Sequence, residues 1–190
     1  SRTMTAIGSS NVVAVDNTKI IAIGSENTNV ATAYDANTNS TSIMLGSKGE
    51  AASPNSVVTS FETNTAGAKQ EVKSFLTATT TNATPTEVTS KIFPKVDSAM
   101  GFSYTVTARR TDVDGHNVYW TGSGLITNDA GTVAIIGSVS KTEVAKVGFA
   151  TVDIAFTADT TNDALILTVT GETGETIIWH AIVTQNIVVG

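Results

Sequence analysis

The chain has 190 residues and a formal net charge of −6, and it is 41% hydrophobic but only 15% charged, against roughly 25% charged in an ordinary soluble domain. Eleven scattered basic residues, with Arg109-Arg110 the single adjacent pair, exclude the clustered cationic face that nucleic acid requires. Cysteine is absent, which removes disulfides and thiol chemistry, and no apolar run approaches the ~18 residues of a membrane span.

The chain opens Ser1-Arg2-Thr3-Met4, with neither an initiator Met nor a charged-then-apolar leader; the expectation is a piece of a longer protein. Thr, Ser and Asn replace the missing charge, as in TATTTNATPT (77–86) and DANTNSTS (35–42). Their short polar side chains compete for backbone hydrogen bonds and favour strands and turns over helices. A surface of hydroxyls and amides suits extracellular and virion fibres.

Six very short apolar runs follow: AIGS (6–9), VVAV (12–15), IIAIGS (20–25), NVATAY (29–34), SIMLGS (42–47) and SVVTS (56–60). Ile7, Val15 and Ile23 fall eight residues apart, and Ser42-Ile43 recurs as Ser56-Val57 at a spacing of fourteen. Such strands bury little surface alone. Near-regular spacing with polar turns predicts stacking, as a β-solenoid or an interwoven fibre shaft, over residues 1–62. The phrases AIGS, AIGS and MLGS resemble the head repeats of trimeric autotransporter adhesins, which implies a trimeric β-roll; plain irregular β-structure is the alternative.

Periodicity lapses in ETNTAGAKQ (62–70), so a linker is expected at 63–71. Beyond it the strands lengthen and alternate with the period of two that marks a half-buried strand. VKSFLTATT (72–80) is the first. In GFSYTVTAR (101–109), Phe102, Tyr104, Val106 and Ala108 share a face; Val152, Ile154, Phe156 and Ala158 do so in TVDIAFTA (151–158), and Leu165, Leu167 and Val169 in ALILTVT (164–170). Asp114-Gly115, Asn128-Asp129-Ala130-Gly131, Thr161-Asn162-Asp163 and Gly171-Glu172-Thr173-Gly174 supply turns. The expected fold is all-β, with residues 72–190 forming an antiparallel β-sandwich of jelly-roll type.

The last strand, TIIWHAIVTQNIVV (176–189), departs from the pattern. Ile177, Trp179, Ala181 and Val183 lie on one face, and Ile178, His180, Ile182 and Thr184 on the other. Two apolar faces need two covers. One is the opposing sheet; the other is either the same chain or a neighbouring subunit, with Ile178, His180 and Ile182 as candidate interface residues.

No catalytic motif is complete. Thr111-Asp112-Val113-Asp114-Gly115-His116-Asn117 begins like a calcium loop, but Gly stands at the fourth position and Ser123 at the twelfth. It reads as a hairpin turn. Trp120-Thr121-Gly122-Ser123-Gly124 lacks the first Gly of a nucleophile elbow, and Gly137-Ser138-Val139-Ser140-Lys141-Thr142 lacks the second Gly of a phosphate loop. Two His, His116 and His180, leave little for a metal site or a triad. No catalytic, cofactor-binding or metal residue is therefore assigned, and no cofactor is expected. Tyr104, Tyr119, Trp120 and Trp179 could stack on sugars. Tyr119, opposite Val118 and Trp120, is the candidate receptor contact, with Asp114 and His116 in the preceding turn.

The phrases ATPTEV (83–88), FSYTVTARRTDVDG (102–115), GTVAIIGSVSKTEVA (131–145) and VDIAFTADTTNDALILTVTGETGETIIWHAIVTQNIVV (152–189) resemble, in this order, a module found at the C-termini of bacteriophage tail fibre and virion appendage proteins. The resemblance covers residues 74–190 and implies an extracellular, trimeric, non-catalytic part of a virion. Its implied partners are further copies of itself, other virion tail proteins and a host-surface polysaccharide or protein receptor. A polysaccharide-degrading tail spike fragment and a bacterial trimeric adhesin head are the rival readings.

Overall fold

The computed structural model describes residues 3–8, 12–13, 19–25, 28–29, 41–47, 50–51, 56–61 and 69–190. Ser9, Ala14, Val15 and residues 30–34 of the expected runs, and residues 62–68 around the expected linker, lie outside the described residues. Every described element is a strand. The first seven are β1 (Thr3–Ile7), β2 (Val12–Val13), β3 (Lys19–Ser25), β4 (Thr28–Asn29), β5 (Thr41–Ser47), β6 (Glu50–Ala51) and β7 (Ser56–Phe61). The rest are β8 (Lys69–Thr80), β9 (Thr86–Glu87), β10 (Ser98–Arg110), β11 (Asn117–Asp129), β12 (Thr132–Ile135), β13 (Thr142–Val147), β14 (Asp153–Asp159), β15 (Ala164–Thr170) and β16 (Ile177–Val189).

The short N-terminal strands stack in parallel and alternate between two sheets. Strands β1, β3, β5 and β7 form one ladder, and β2, β4 and β6 another. Ser42-Ile43 pairs with Ser56-Val57, so the spacing of fourteen marks real register; Ile7 pairs with Ile23, sixteen residues on, while Val15 between them lies outside the described residues. Ala22, Met44, Val58 and Val72 run across the inner face and are buried.

The recurring Gly-Ser of these strands has a steric cause. Gly8, Gly24 and Gly46 sit at φ of 119°, 123° and 103°, a region costly for residues with a Cβ. A Cβ on each would lie 1.7, 1.6 and 1.8 Å from the carbonyl oxygen of Gly24, Gly46 and Ser60 respectively. Each rung thus admits the next only because no side chain is present.

Strand β7 pairs antiparallel with β8, which carries the ladder into a larger antiparallel sheet of order β8-β16-β10-β11-β12, with β13 also on β11. Its inner face packs on the three-stranded sheet β14-β15-β9. The core between them holds Trp120 and Trp179 with Val106, Leu165, Leu167 and Val169. Two of its buried polar side chains are paired: the Trp179 indole N–H donates to Thr80 Oγ1 at 2.9 Å, and Gln185 Nε2 to Ser74 Oγ at 2.8 Å. Unpaired, each would cost roughly 1–3 kcal/mol.

Turn chemistry follows the sequence with one shift. In the β11–β12 hairpin, Asp129 pairs with Thr132, and the two positive φ values fall on Ala130 (52°) and Gly131 (85°) rather than on an Asx-Gly pair. The Asp97 carboxylate accepts the Ala130 N–H at 3.0 Å, which anchors that turn.

Candidate functional site

The outer face of the large sheet gathers most of the residues singled out in the sequence. In β16, Ile177, Trp179, Ala181 and Val183 are buried against the small sheet, whereas Ile178 is 51% exposed, His180 is exposed and Ile182 is half-buried. The opposing sheet is therefore the only cover this strand receives from the described residues. Strand pairing puts Tyr119, Thr107, His180 and Thr77 in one row across β11, β10, β16 and β8. Adjacent strands lie about 4.8 Å apart, which sets Tyr119 and His180 about 10 Å from each other. The neighbouring row holds Thr121, Thr105, Ile182 and Phe75, the last 38% exposed.

This face continues onto the ladder. Ile7, Ile23 and Leu45 stand in register, and Ile21 and Ile43 beside them. Ile7, Ile21, Ile23 and Leu45 are between 37% and 61% exposed. Side chains of this kind gain roughly 1.5–3 kcal/mol each on full burial.

The turn between β10 and β11 ends the face in a cluster of charges. Arg110 meets both oxygens of Asp112, Nε to Oδ1 at 2.7 Å and Nη2 to Oδ2 at 2.9 Å, and its Nη1 reaches Glu175. Hydrogen bonding from Arg110 holds the Asp112 carboxyl down at about 2. Asp114 is fully exposed and pairs with Arg109 at 3.1 Å. The segment read as a hairpin turn is one, and its carboxylates answer arginines.

The three candidate receptor residues do not converge. Tyr119 is on the outer face, Asp114 at the tip of the turn, and His116 is turned against Phe149, edge to face at 5.6 Å, with its Nδ1 buried and unpaired. The other three candidates for stacking on sugars, Tyr104, Trp120 and Trp179, are all buried.

Sequence reasoning missed how two incomplete motifs meet. Ser140 Oγ accepts the Ser123 N–H at 2.8 Å, and the Ser140 N–H donates to Ser123 O at 2.8 Å. A Cβ on Gly122 would lie 2.0 Å from Ser140 O, and one on Gly124 2.6 Å from the Phe102 ring. The glycines of 120–124 let the 136–141 segment and two aromatic rings approach β11.

No family model and no curated protein matches the sequence. Solved structures with which the chain aligns include phage tailspikes. One is tailspike protein gp49 of Acinetobacter baumannii bacteriophage Fri1, a capsular polysaccharide depolymerase (11% identity, TM-score 0.36, 95% of this chain and 44% of that one). Others are the tailspike of A. baumannii phage AM24 (11%, 0.38, 98% and 48%) and that of Acinetobacter phage vB_ApiP_P1 (11%, 0.28, 100% and 47%). The chain spans less than half the length of each, and overlaps this loose transfer no residue roles.

One expectation is corrected here. The chain was expected not to be an enzyme, yet the Fri1 tailspike is a depolymerase. The expectation rested on absent His- and Cys-based motifs. Glycoside cleavage needs neither, only a suitably spaced pair of carboxylates, and this chain has seventeen acidic residues.

Proposed function

We propose that the chain is a module of a bacteriophage tail appendage that assembles as three copies about one axis and attaches the virion to a host-surface polysaccharide or protein receptor. The observation that carries this reading is the outer face of β16, which none of the described residues covers, with Ile178, Ile182 and the paired Phe75, continued by the aliphatic row Ile7, Ile23 and Leu45. A small domain is stable by only about 5–15 kcal/mol, so several exposed Ile and Leu side chains favour a covered state. Closing copies about an axis covers such a face without leaving an open, aggregating edge. The four sequence phrases of residues 83–189 support the appendage assignment.

Three sites on one axis would turn weak contacts into firm attachment, because the second and third act at high effective concentration. Retention of the purified chain on whole bacterial cells and on isolated surface glycan tests the reading, with reducing ends scored in the same incubation. Retention lost when the cell surface is stripped of glycan or protein is the expected result. A chain that binds no surface from any host panel would refute it.

A further inference from the structure

The inner row of the N-terminal ladder is open at its first rung. Strand β1 is the terminal strand of its sheet and pairs, among the described residues, with β3 alone. Ala6, Ala22, Met44 and Val58 stand in one row across β1, β3, β5 and β7. Ala22, Met44 and Val58 are 0% exposed, whereas Ala6 is exposed, as are Thr5 and Ile7 beside it. A rung buries the inward residue of the next, and β1 has no such cover from the described residues.

The edge is also undefended. Edge strands present unpaired N–H and C=O groups and are blunted by charge, Pro or bulges. At the other end of the sheet, β13 carries Glu143 and Lys146, and its register on β11 shifts between Tyr119 and Trp120. Strand β1 (TMTAI) has neither charge nor Pro, and all five of its residues pair with β3 without a shift.

The glycines tell what fits. A Cβ on Gly8, Gly24 or Gly46 would collide with the carbonyl oxygen of Gly24, Gly46 or Ser60 respectively. Each of these carbonyls thus faces the rung before it, where only glycine can stand. Gly8, at φ 119° beside 123° for Gly24, repeats the turn and sets its own carbonyl toward the open side of β1. A strand added there needs glycine opposite Gly8 and an apolar residue two positions earlier to cover Ala6. Ala22-Ile23-Gly24 and Met44-Leu45-Gly46 have that form. The β1 edge of a second copy does not complement it, because like edges would bring the two Gly8 carbonyls together.

We propose that the open edge of β1 seats one further parallel rung of the form apolar–aliphatic–Gly, supplied by the same polypeptide ahead of β1. Main-chain hydrogen bonds hold such a strand, and side-chain fit selects it. So short a strand buries little when free, so the rung is tethered as those of the ladder are. The inference is independent of the attachment reading.

Hydrogen exchange of the β1 amides tests it, in the whole chain and in a chain extended ahead of Thr3 by a second copy of residues 19–40, the segment that sets β3 in register on β5 (Lys19 on Thr41). In the parent, β1 should exchange many-fold faster than β3. The added rung should slow β1 at least several-fold, and Gly24→Ala in the added copy alone should return it to the parent rate. Unchanged exchange in the extended chain, or equal slowing with Gly24→Ala, overturns the proposal. Parent β1 amides as protected as those of β3 overturn it without any variant, and loss of that protection on dilution would show another copy on the edge. Equal slowing by residues 19–40 as a free peptide at the same concentration overturns the assignment to the same polypeptide.

Discussion

Trp120 and Trp179 stack with ring centroids 6.0 Å apart and planes 12° from parallel, although they belong to strands on opposite sides of β10. Val106 pairs with Trp120 and Ala108 with Trp179, and these small β10 residues leave room for the indoles to meet. The pair joins three strands of the large sheet into one unit.

Replacing either indole should therefore cost more than its own area. Trp179→Ala is expected to destabilise by about 3–5 kcal/mol. Thr80→Val, which keeps the shape but removes the acceptor of the Trp179 N–H, should cost about 1–3 kcal/mol. Urea unfolding followed by Trp fluorescence reads both. Equal, negligible losses would mean that the stacked pair does not hold the sheet.

Glycine substitutions should separate close packing from backbone strain. Gly24→Ala places a Cβ 1.6 Å from Gly46 O at φ 123°, so it should disorder the N-terminal ladder. Gly115→Ala meets nothing within 4 Å at φ 88° and carries only the backbone cost, about 1 kcal/mol. Amide hydrogen exchange should show loss of protection in β3 and β5 for Gly24→Ala and almost none for Gly115→Ala. Matching profiles would contradict the stacked-glycine account.

Acid should weaken the sandwich below about pH 4. The Lys91 ammonium, then Asn162, holds the Asp159 carboxyl at about 2, and Arg110 holds Asp112 likewise. Both are depressed below their unfolded value of 3.8. Their contribution is thus present above about pH 4 and is lost as pH falls from about 4 through about 2. Asp159→Asn should flatten that part of the stability–pH curve. An unchanged slope in the variant would show that this pair does not couple folding to protons.

The long strands were legible in the sequence because one face of each is buried. Phe102, Tyr104, Val106 and Ala108, and Ile177, Trp179, Ala181 and Val183, alternate with solvent-facing residues on the period of two. Strand β8 begins at Lys69, inside the expected linker, since Lys69 and Gln70 lie before its alternation becomes strong. Strand β13 gave no signal: all six of its residues are exposed, so pairing with β11 and not burial makes it a strand. The ladder's spacing was visible, but the reason for its glycines was not, because each is set by a carbonyl on another rung. The Ser123–Ser140 contact was invisible for the same reason: only the fold of the 136–141 segment over β11 brings the two together.

The most direct test of the account is the mass of the chain in solution. Sedimentation velocity at micromolar concentration should give three times the mass of one chain. Ile182→Asp, which places a charge beside Phe75 on the outer face, should shift the population toward single chains. A stable monomer for the parent chain, or a trimer with unchanged melting in Ile182→Asp, would contradict assembly through that face.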